Sequence, residues 1–231
     1  TAFPGILQDS IGTKIDDITV KNSNVNVTGN VGVQLFAGGG FGRFEGATST
    51  TVAWQATEVT NIKIKNRGNG TSSVTIGTNN TNTINYIRAG IAGMAYQNAI
   101  TRGWDIEKAS VVVNGKLQTT SSYVGGCIGH AQSINNGPVT MSDMQITVSD
   151  VIAINGDIEK DTYIGGAFGR MDQNNGANNK APTASNVNIT GLNMSFGGNF
   201  TQNVYAGGIV GYLYAMNINN CPEPTSVINC S

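Results

Sequence analysis

Tyr163-Ile-Gly-Gly-Ala-Phe-Gly169 is the stretch whose reading decides the fold, because the chain repeats it. Related copies read Phe36-Ala-Gly-Gly-Gly-Phe-Gly42, Ile87-Arg-Ala-Gly-Ile-Ala-Gly93, Tyr123-Val-Gly-Gly-Cys-Ile-Gly129 and Tyr205-Ala-Gly-Gly-Ile-Val-Gly211. Their starts are 51, 36, 40 and 42 residues apart. A period of that size means one supersecondary unit stacked on copies of itself. Recurrent Gly inside strand-like sequence marks a bend or a close backbone approach. Gly39, Gly42, Gly90, Gly93, Gly126, Gly129, Gly166, Gly169, Gly208 and Gly211 are therefore expected to be structural. The residues between them, Phe41, Ala92, Ile128, Phe168 and Val210, are expected to stack as an inner column. The leading residues Phe36, Ile87, Tyr123, Tyr163 and Tyr205 are expected to form a second.

Outward from the phrase the sequence reads as strand. Asp17-Ile-Thr-Val-Lys21, Asn24-Val-Asn-Val-Thr28, Asn61-Ile-Lys-Ile-Lys65, Ser110-Val-Val-Val113, Met144-Gln-Ile-Thr-Val148, Val151-Ile-Ala-Ile154 and Asn186-Val-Asn-Ile-Thr190 are short β-branched runs, most of them alternating apolar with polar. Asn-Gly pairs at 69–70, 114–115, 136–137, 155–156 and 175–176 supply turns. Helix signal is confined to Ile6-Leu-Gln-Asp-Ser-Ile11. The expectation is an all-β, β-helix-like solenoid of about five coils, a single repeat domain over 1–231. Residues 1–15 and 217–231 serve as irregular caps and 16–216 as the repeats. Since Asn-Gly between apolar runs is also a hairpin signal, a β-sandwich is the alternative.

Gly125-Gly-Cys-Ile-Gly129, Gly165-Gly-Ala-Phe-Gly169 and Gly207-Gly-Ile-Val-Gly211 resemble the GLUG-type repeat, Gly-Gly-Leu-Val-Gly followed by polar residues. The likeness covers most of 16–216. It implies β-solenoid segments of the kind found in large surface proteins, adhesins and some secreted peptidases, and a scaffold or adhesive role without catalysis.

Only 12% of the 231 residues are charged, against about 25% in ordinary globular proteins, and net charge is −1. No basic stripe offers a nucleic acid or an anionic membrane a footing. No apolar run approaches the ~20 residues of a membrane span. An uncharged polar surface suits an extracellular or cell-surface location, and an opening of Thr1-Ala-Phe-Pro4 suits a mature chain freed of its leader or a trimmed one. Candidate N-glycosylation sites are Asn26, Asn69, Asn79, Asn188, Asn193, Asn199 and Asn229. Cys221 and Cys230 are spaced for a disulfide that would close a short C-terminal loop. Cys127 reads as a small buried hydrophobe.

Chemistry is thinly supplied. The single histidine, His130, follows a glycine phrase in a column otherwise filled by Arg43, Met94, Arg170 and Tyr212, which reads as an amphipathic surface position. A Ser-His-Asp site would need this one residue, and Cys and His are too few for a metal site. Asp157-Ile-Glu159-Lys-Asp161 would place three acids on one strand face, able to bind Ca²⁺ or simply solvated; Asp16-Asp17 and Asp143…Asp150 are sparser. Thr48-Ser-Thr-Thr51 lacks the regular Thr-x-Thr ladder of an ice-binding face. Among Trp54, Tyr96, Trp104, Tyr212 and Tyr214, the pair Tyr96 and Tyr214 share one column three residues past a phrase and are the candidate glycan contacts.

These features point to a secreted, non-enzymatic structural or adhesive protein without a cofactor. Its expected partners are further copies of itself, joined through its ends into a filament or layer, or an extracellular glycan or protein. The alternative is a polysaccharide lyase or hydrolase, or a glycan-binding module, on the same scaffold.

Overall fold

In Asn61-Ile-Lys-Ile-Lys65 an extended backbone throws Ile62 and Ile64 to one face and the lysines to the other, and both isoleucines are fully buried. The same alternation, repeated along the chain, builds an all-β protein with parallel sheets. The computed structural model describes residues 7–46, 56–65, 72–107, 109–134, 137–147, 152–174, 180–215 and 225–231. Thr48 to Thr51, Trp54, Asn69, Asp150 and Cys221 lie outside them.

Three sheets share the described strands, with ten, nine and five members. The chain visits them in a fixed order. From Thr57–Thr60 and Lys63–Lys65 in the nine-stranded sheet it passes to Ser72–Ile76 in the five-stranded one, then to Thr83–Tyr96 in the ten-stranded one. The cycle resumes at Ala99–Arg102. Each strand pairs in parallel with its equivalent one repeat away, so Thr57 pairs Ala99 and Ala99 pairs Val139. In the five-stranded sheet Val25, Val74, Val111, Ile152 and Met194 fall in one inward column. Every strand-to-strand pairing described is parallel, unlike the hairpins of a β-sandwich, and the single antiparallel bridge among the described residues is Ile134 to Gly137. Asn114-Gly115 and Asn155-Gly156 instead sit at stacked corners, where Asn155 Nδ2 donates to Asn114 Oδ1 at 2.9 Å.

A second corner, within the nine-stranded sheet, explains where Asn and Asp fall. Asp17, Asn61, Gly103, Asp143, Asn186 and Asn229 follow register-matched residues in successive repeats. All six have left-handed backbone, φ 51° to 66°. Asx and Gly are the residues that enter that region most readily. The column also bonds to itself: Asn186 Nδ2 donates to Asp143 Oδ1 at 3.0 Å.

The ten-stranded sheet holds the glycine phrase. Ser122–Gly125 pairs with the first half of Thr83–Tyr96 and Ile128–Ile134 with its second half, with a bend at Gly126 and Cys127. The bend is sharp. Tyr123 and His130 are seven residues apart, about 23 Å of extended chain, yet their rings are 4.6 Å apart. The two arms of each phrase thus face one another across a concave corner, and glycine permits it. A Cβ on Gly129 would meet Ala89 N at 2.5 Å, one on Gly169 would meet Val124 N at 2.5 Å, and one on Gly211 would meet Ile164 N at 2.5 Å. The second arm rests directly on the first arm of the preceding repeat. Gly93 is as tightly held, against Gly42 O and Phe36, while Gly90, Gly126 and Gly166 face carbonyls of the following repeat. Gly39 and Gly208 have room for a methyl group.

The column Phe41, Ala92, Ile128, Phe168 and Val210 is as expected. Its neighbour is not. Phe36 pairs Arg88, and Arg88 pairs Tyr123. The second repeat is one residue shorter between this column and the next, so Ile87 turns into the core beside Leu35 and Arg88 enters the aromatic column. Two further expectations change. Leu7–Ile11, within the expected irregular cap, is a strand, because the edge of Val31–Glu45 offers it a ladder and Leu7 packs on the core. The C-terminal segment is not wholly irregular: Ser226–Ile228 pairs Thr183–Ser185 and continues the nine-stranded sheet.

Gly169→Ala is expected to cost upward of about 2 kcal/mol in urea denaturation, the range for overpacking against backbone. Gly208→Ala, in the equivalent phrase but with open space at its Cβ, is expected to change stability by less than about 0.5 kcal/mol.

Candidate functional site: a tyrosine and arginine cleft

Because the arms of the phrase fold toward each other, outward-facing residues from both line a single cleft of about 460 Å³, within the range of ligand sites. One arm supplies Tyr123 and Tyr163, the other His130, Arg170, Asp172, Tyr212 and Tyr214, with Arg88 at the floor of the column. The rings follow the sheet. Tyr86 and Tyr123 lie 6.1 Å apart, Tyr123 and Tyr163 5.6 Å, and Tyr163 and Tyr205 4.9 Å with planes 14° apart. Tyr212 reaches across to Tyr163 at 4.8 Å and stacks beside Tyr214 at 6.0 Å. Burial pushes the Tyr86 hydroxyl up to about 12 and raises Tyr123 as well, so both rings stay neutral.

Arg170 is the hub. Its Nη2 lies 2.6 Å from Asp172 Oδ2, its Nη1 donates to Tyr123 Oη at 3.0 Å, and its guanidinium lies within 6 Å of the rings of Tyr123, Tyr163, Tyr212 and Tyr214. Each such contact contributes about 0.5–2 kcal/mol as solvent is excluded. His130, only 1% exposed, corrects the expectation of a surface position. Its column does face outward, but the opposing tyrosine arm covers it. His130 Nε2 stands 2.8 Å from Asp172 Oδ1, so the Nε2–H tautomer donates and Nδ1 is buried without a partner among the described residues. Burial, reinforced by the Arg88 charge, pulls His130 down to about 4, against the opposing pull of Asp172. For Asp172, burial acts upward, but His130 and Arg170 hold the carboxyl below its ordinary value.

The remaining candidates distribute as follows. Tyr214 lines the cleft; Tyr96 lies in the same column but beyond Gln132 and Asp172, about 14 Å away at sheet spacing, so the two are not one platform. Trp104 is fully buried, donating to Val59 O at 2.8 Å and packed on Phe41 and Phe44, and belongs to the core. Cys127 is buried too, and burial raises its thiol pKa. Cys230 is a free thiol whose Sγ lies 3.2 Å from Ile228 O. Asp157 accepts from Asn199 and Asp161 from Asn203, while Glu159 pairs with Lys116 and Gln118, so each acid is tied to a neighbouring repeat. Among the described residues no group of three or more His, Cys, Asp and Glu is placed to hold a metal ion. Asn26, Asn79, Asn193, Asn199 and Asn229 are exposed and Asn188 partly so; the amides of Asn188 and Asn199 donate to Gln145 and Asp157. Sequence reasoning found the columns of the cleft but not the cleft, whose signal was the run of tyrosines at 123, 163, 205, 212 and 214.

No helix among the described residues is long and apolar enough to cross a membrane. No protein-family model matches the chain, and neither a curated protein nor a solved structure matches it. The likeness to GLUG-type repeats therefore rests on the glycine phrase itself.

The depressed His130 pKa has a pH consequence. Above about 6.5 the imidazole is neutral both folded and unfolded. As pH falls from about 6.5 to 4 only the unfolded chain takes up the proton, so stability is lost over that window, on the order of 3 kcal/mol. Urea midpoints measured from pH 7 to 4 are expected to fall accordingly. In His130→Gln the drop across this window is expected to be smaller, leaving the carboxylate losses at lower pH.

Proposed function

We propose that this chain is a non-enzymatic adhesive module of an extracellular surface, a β-solenoid of about five coils that holds a glycan in the tyrosine and arginine cleft. The observation that carries the reading is the set of tyrosines lining the cleft, the largely buried Tyr123 and Tyr163 and the more open Tyr212 and Tyr214, with neighbouring rings 5.6, 4.8 and 6.0 Å apart. Aromatic faces with polar tips suit the C–H faces and hydroxyls of sugar rings. Arg170, Gln132 and Asp172 add fixed hydrogen-bonding groups on the same wall. Parallel pairing from repeat to repeat supports a stiff scaffold, and the GLUG-type phrase supports the same surface role. Glycoside hydrolysis ordinarily uses two carboxylates flanking the scissile bond, and the residues lining this cleft include one, Asp172, already engaged by His130 and Arg170.

Retention of the protein on a glycan array is the expected outcome. Tyr163→Ala and Tyr214→Ala are each expected to weaken binding roughly tenfold, equivalent to about 1.4 kcal/mol. An array on which no glycan retains the protein overturns the reading.

Self-association through the last repeat is a second reading, favoured by Gly208. In the repeats before it the matching glycines, Gly126 and Gly166, lie against the carbonyl of the next repeat's glycine, whereas a Cβ on Gly208 would meet nothing within 4 Å among the described residues. Phe200, Leu213 and Ile228 are exposed in the same region, 46% to 54%. A second copy continuing the ladders there would bury them by strand addition. Light scattering is expected to show concentration-dependent assemblies that Ile228→Lys disperses; a monomer at all concentrations rejects this route.

A further inference from the structure

Four arginines are described, and three have a carboxylate in reach. Arg43 Nη1 lies 3.5 Å from Glu45, Arg102 Nε 3.4 Å from Asp143, and Arg170 Nη2 2.6 Å from Asp172. Arg88 has none among the described residues. Its guanidinium lies instead 4.8 Å from the ring of Tyr86, 5.0 Å from that of Phe36 and 5.7 Å from that of Tyr123. Nη1 points at the Met94 thioether at 2.6 Å, a weak acceptor, the Tyr86 hydroxyl is a further side-chain partner, and Nε is buried with no hydrogen-bond partner among the described residues. A cation enclosed by rings with no carboxylate in contact is costly, and Asp172 acts on it only at a distance. Arg170 and Asp172 already cancel each other, and His130 is uncharged at neutral pH. The cleft therefore carries a net positive charge beside Tyr123 and Tyr163, which are 7% and 8% exposed, and the more open Tyr212 and Tyr214.

We propose that the cleft takes a sugar bearing a carboxylate, with the carboxylate on the Arg88 guanidinium and the pyranose ring against the parts of Tyr123 and Tyr163 that line the cleft. This rests on the glycan reading above and narrows it to acidic saccharides. A guanidinium is the side chain best matched to a planar carboxylate, since its paired N–H groups donate to both oxygens at once. Arg88 reaches this position because the second repeat is one residue short, which puts a cation where the repeats on either side place Phe36 and Tyr123. Ring and charge are thus held side by side on adjacent strands of one sheet. A neutral sugar would satisfy the tyrosines and leave Arg88 without an anion. A small inorganic anion would satisfy Arg88 and leave the tyrosine faces unused.

The test is calorimetric titration of the whole chain with oligosaccharides containing glucuronate, galacturonate, mannuronate or sialic acid, each as free acid and as methyl ester. Free glucuronate and inorganic phosphate serve as separate arms. At least one free acid is expected to bind tenfold or more tighter than its own ester, with the preference shrinking as salt rises. Arg88→Gln is expected to erase the difference between acid and ester. The wild-type comparison stands even where that variant folds poorly. Equal affinity for every acid and ester pair, phosphate binding as tightly as the best acid, or a full preference surviving in folded Arg88→Gln overturns the proposal while leaving glycan binding intact. Absence of binding to any saccharide, charged or neutral, overturns the glycan reading as well.

Discussion

The backbone of one arm of each glycine phrase lies on the backbone of the other arm one repeat earlier, and nothing larger than hydrogen fits between them. Gly129, Gly169 and Gly211 occupy that contact against Ala89, Val124 and Ile164. Several properties of the molecule depend on it. The ten-stranded sheet folds into a concave corner rather than running flat. The interior divides into two apolar clusters, one around Phe41, Trp104, Ile128 and Phe168 and the other around Leu35, Ile87, Val124 and Ile164. Side chains that would otherwise point to open solvent meet across the corner, and His130 is buried by residues on the outside of the sheet.

That origin explains what could be read in advance. Period-two alternation and the spacing of the phrases carried the strands, the inward column from Phe41 to Val210, and the registers of the two columns that follow each phrase. Such signals are local, and stacking only repeats them. The features that differ from the local reading depend on contacts between repeats. A missing residue between Arg88 and Ala92 leaves the glycine pattern recognisable while shifting its leading residue by one, and only the parity of Ile87 betrays it. Leu7–Ile11 becomes strand because Val31–Glu45 has an edge to offer. His130 looks solvent-facing from its column, and is, until the opposing tyrosines are placed. Trp104 resembles a surface aromatic in sequence, yet it fills the space beside Phe41 and Phe44.

Charge is scarce, and where it occurs it mostly joins one repeat to the next. Lys65 pairs with Asp105 and Glu107, Lys116 with Glu159, and Arg102 with Asp143. Exposed pairs of this kind contribute little stability each, about 0–1 kcal/mol. Their use is directional: a one-residue slip between repeats would set unlike partners opposite each other, and the Asx ladders at the corners would lose their left-handed positions together.

The short second repeat shows how such a protein can change what its surface presents. In most folds, rewriting a surface needs substitutions one position at a time, and an insertion or deletion is a disruption. Here a one-residue deletion inside a bend exchanges which residue faces outward while the core keeps an aliphatic, Ile87 beside Leu35, and the bulge between Gly38 and Phe41 absorbs the offset. Chain length within a repeat thus becomes a coding variable, separate from residue identity. Two chains with nearly the same repeats, differing by one glycine, could present a ring or a cation at the same address.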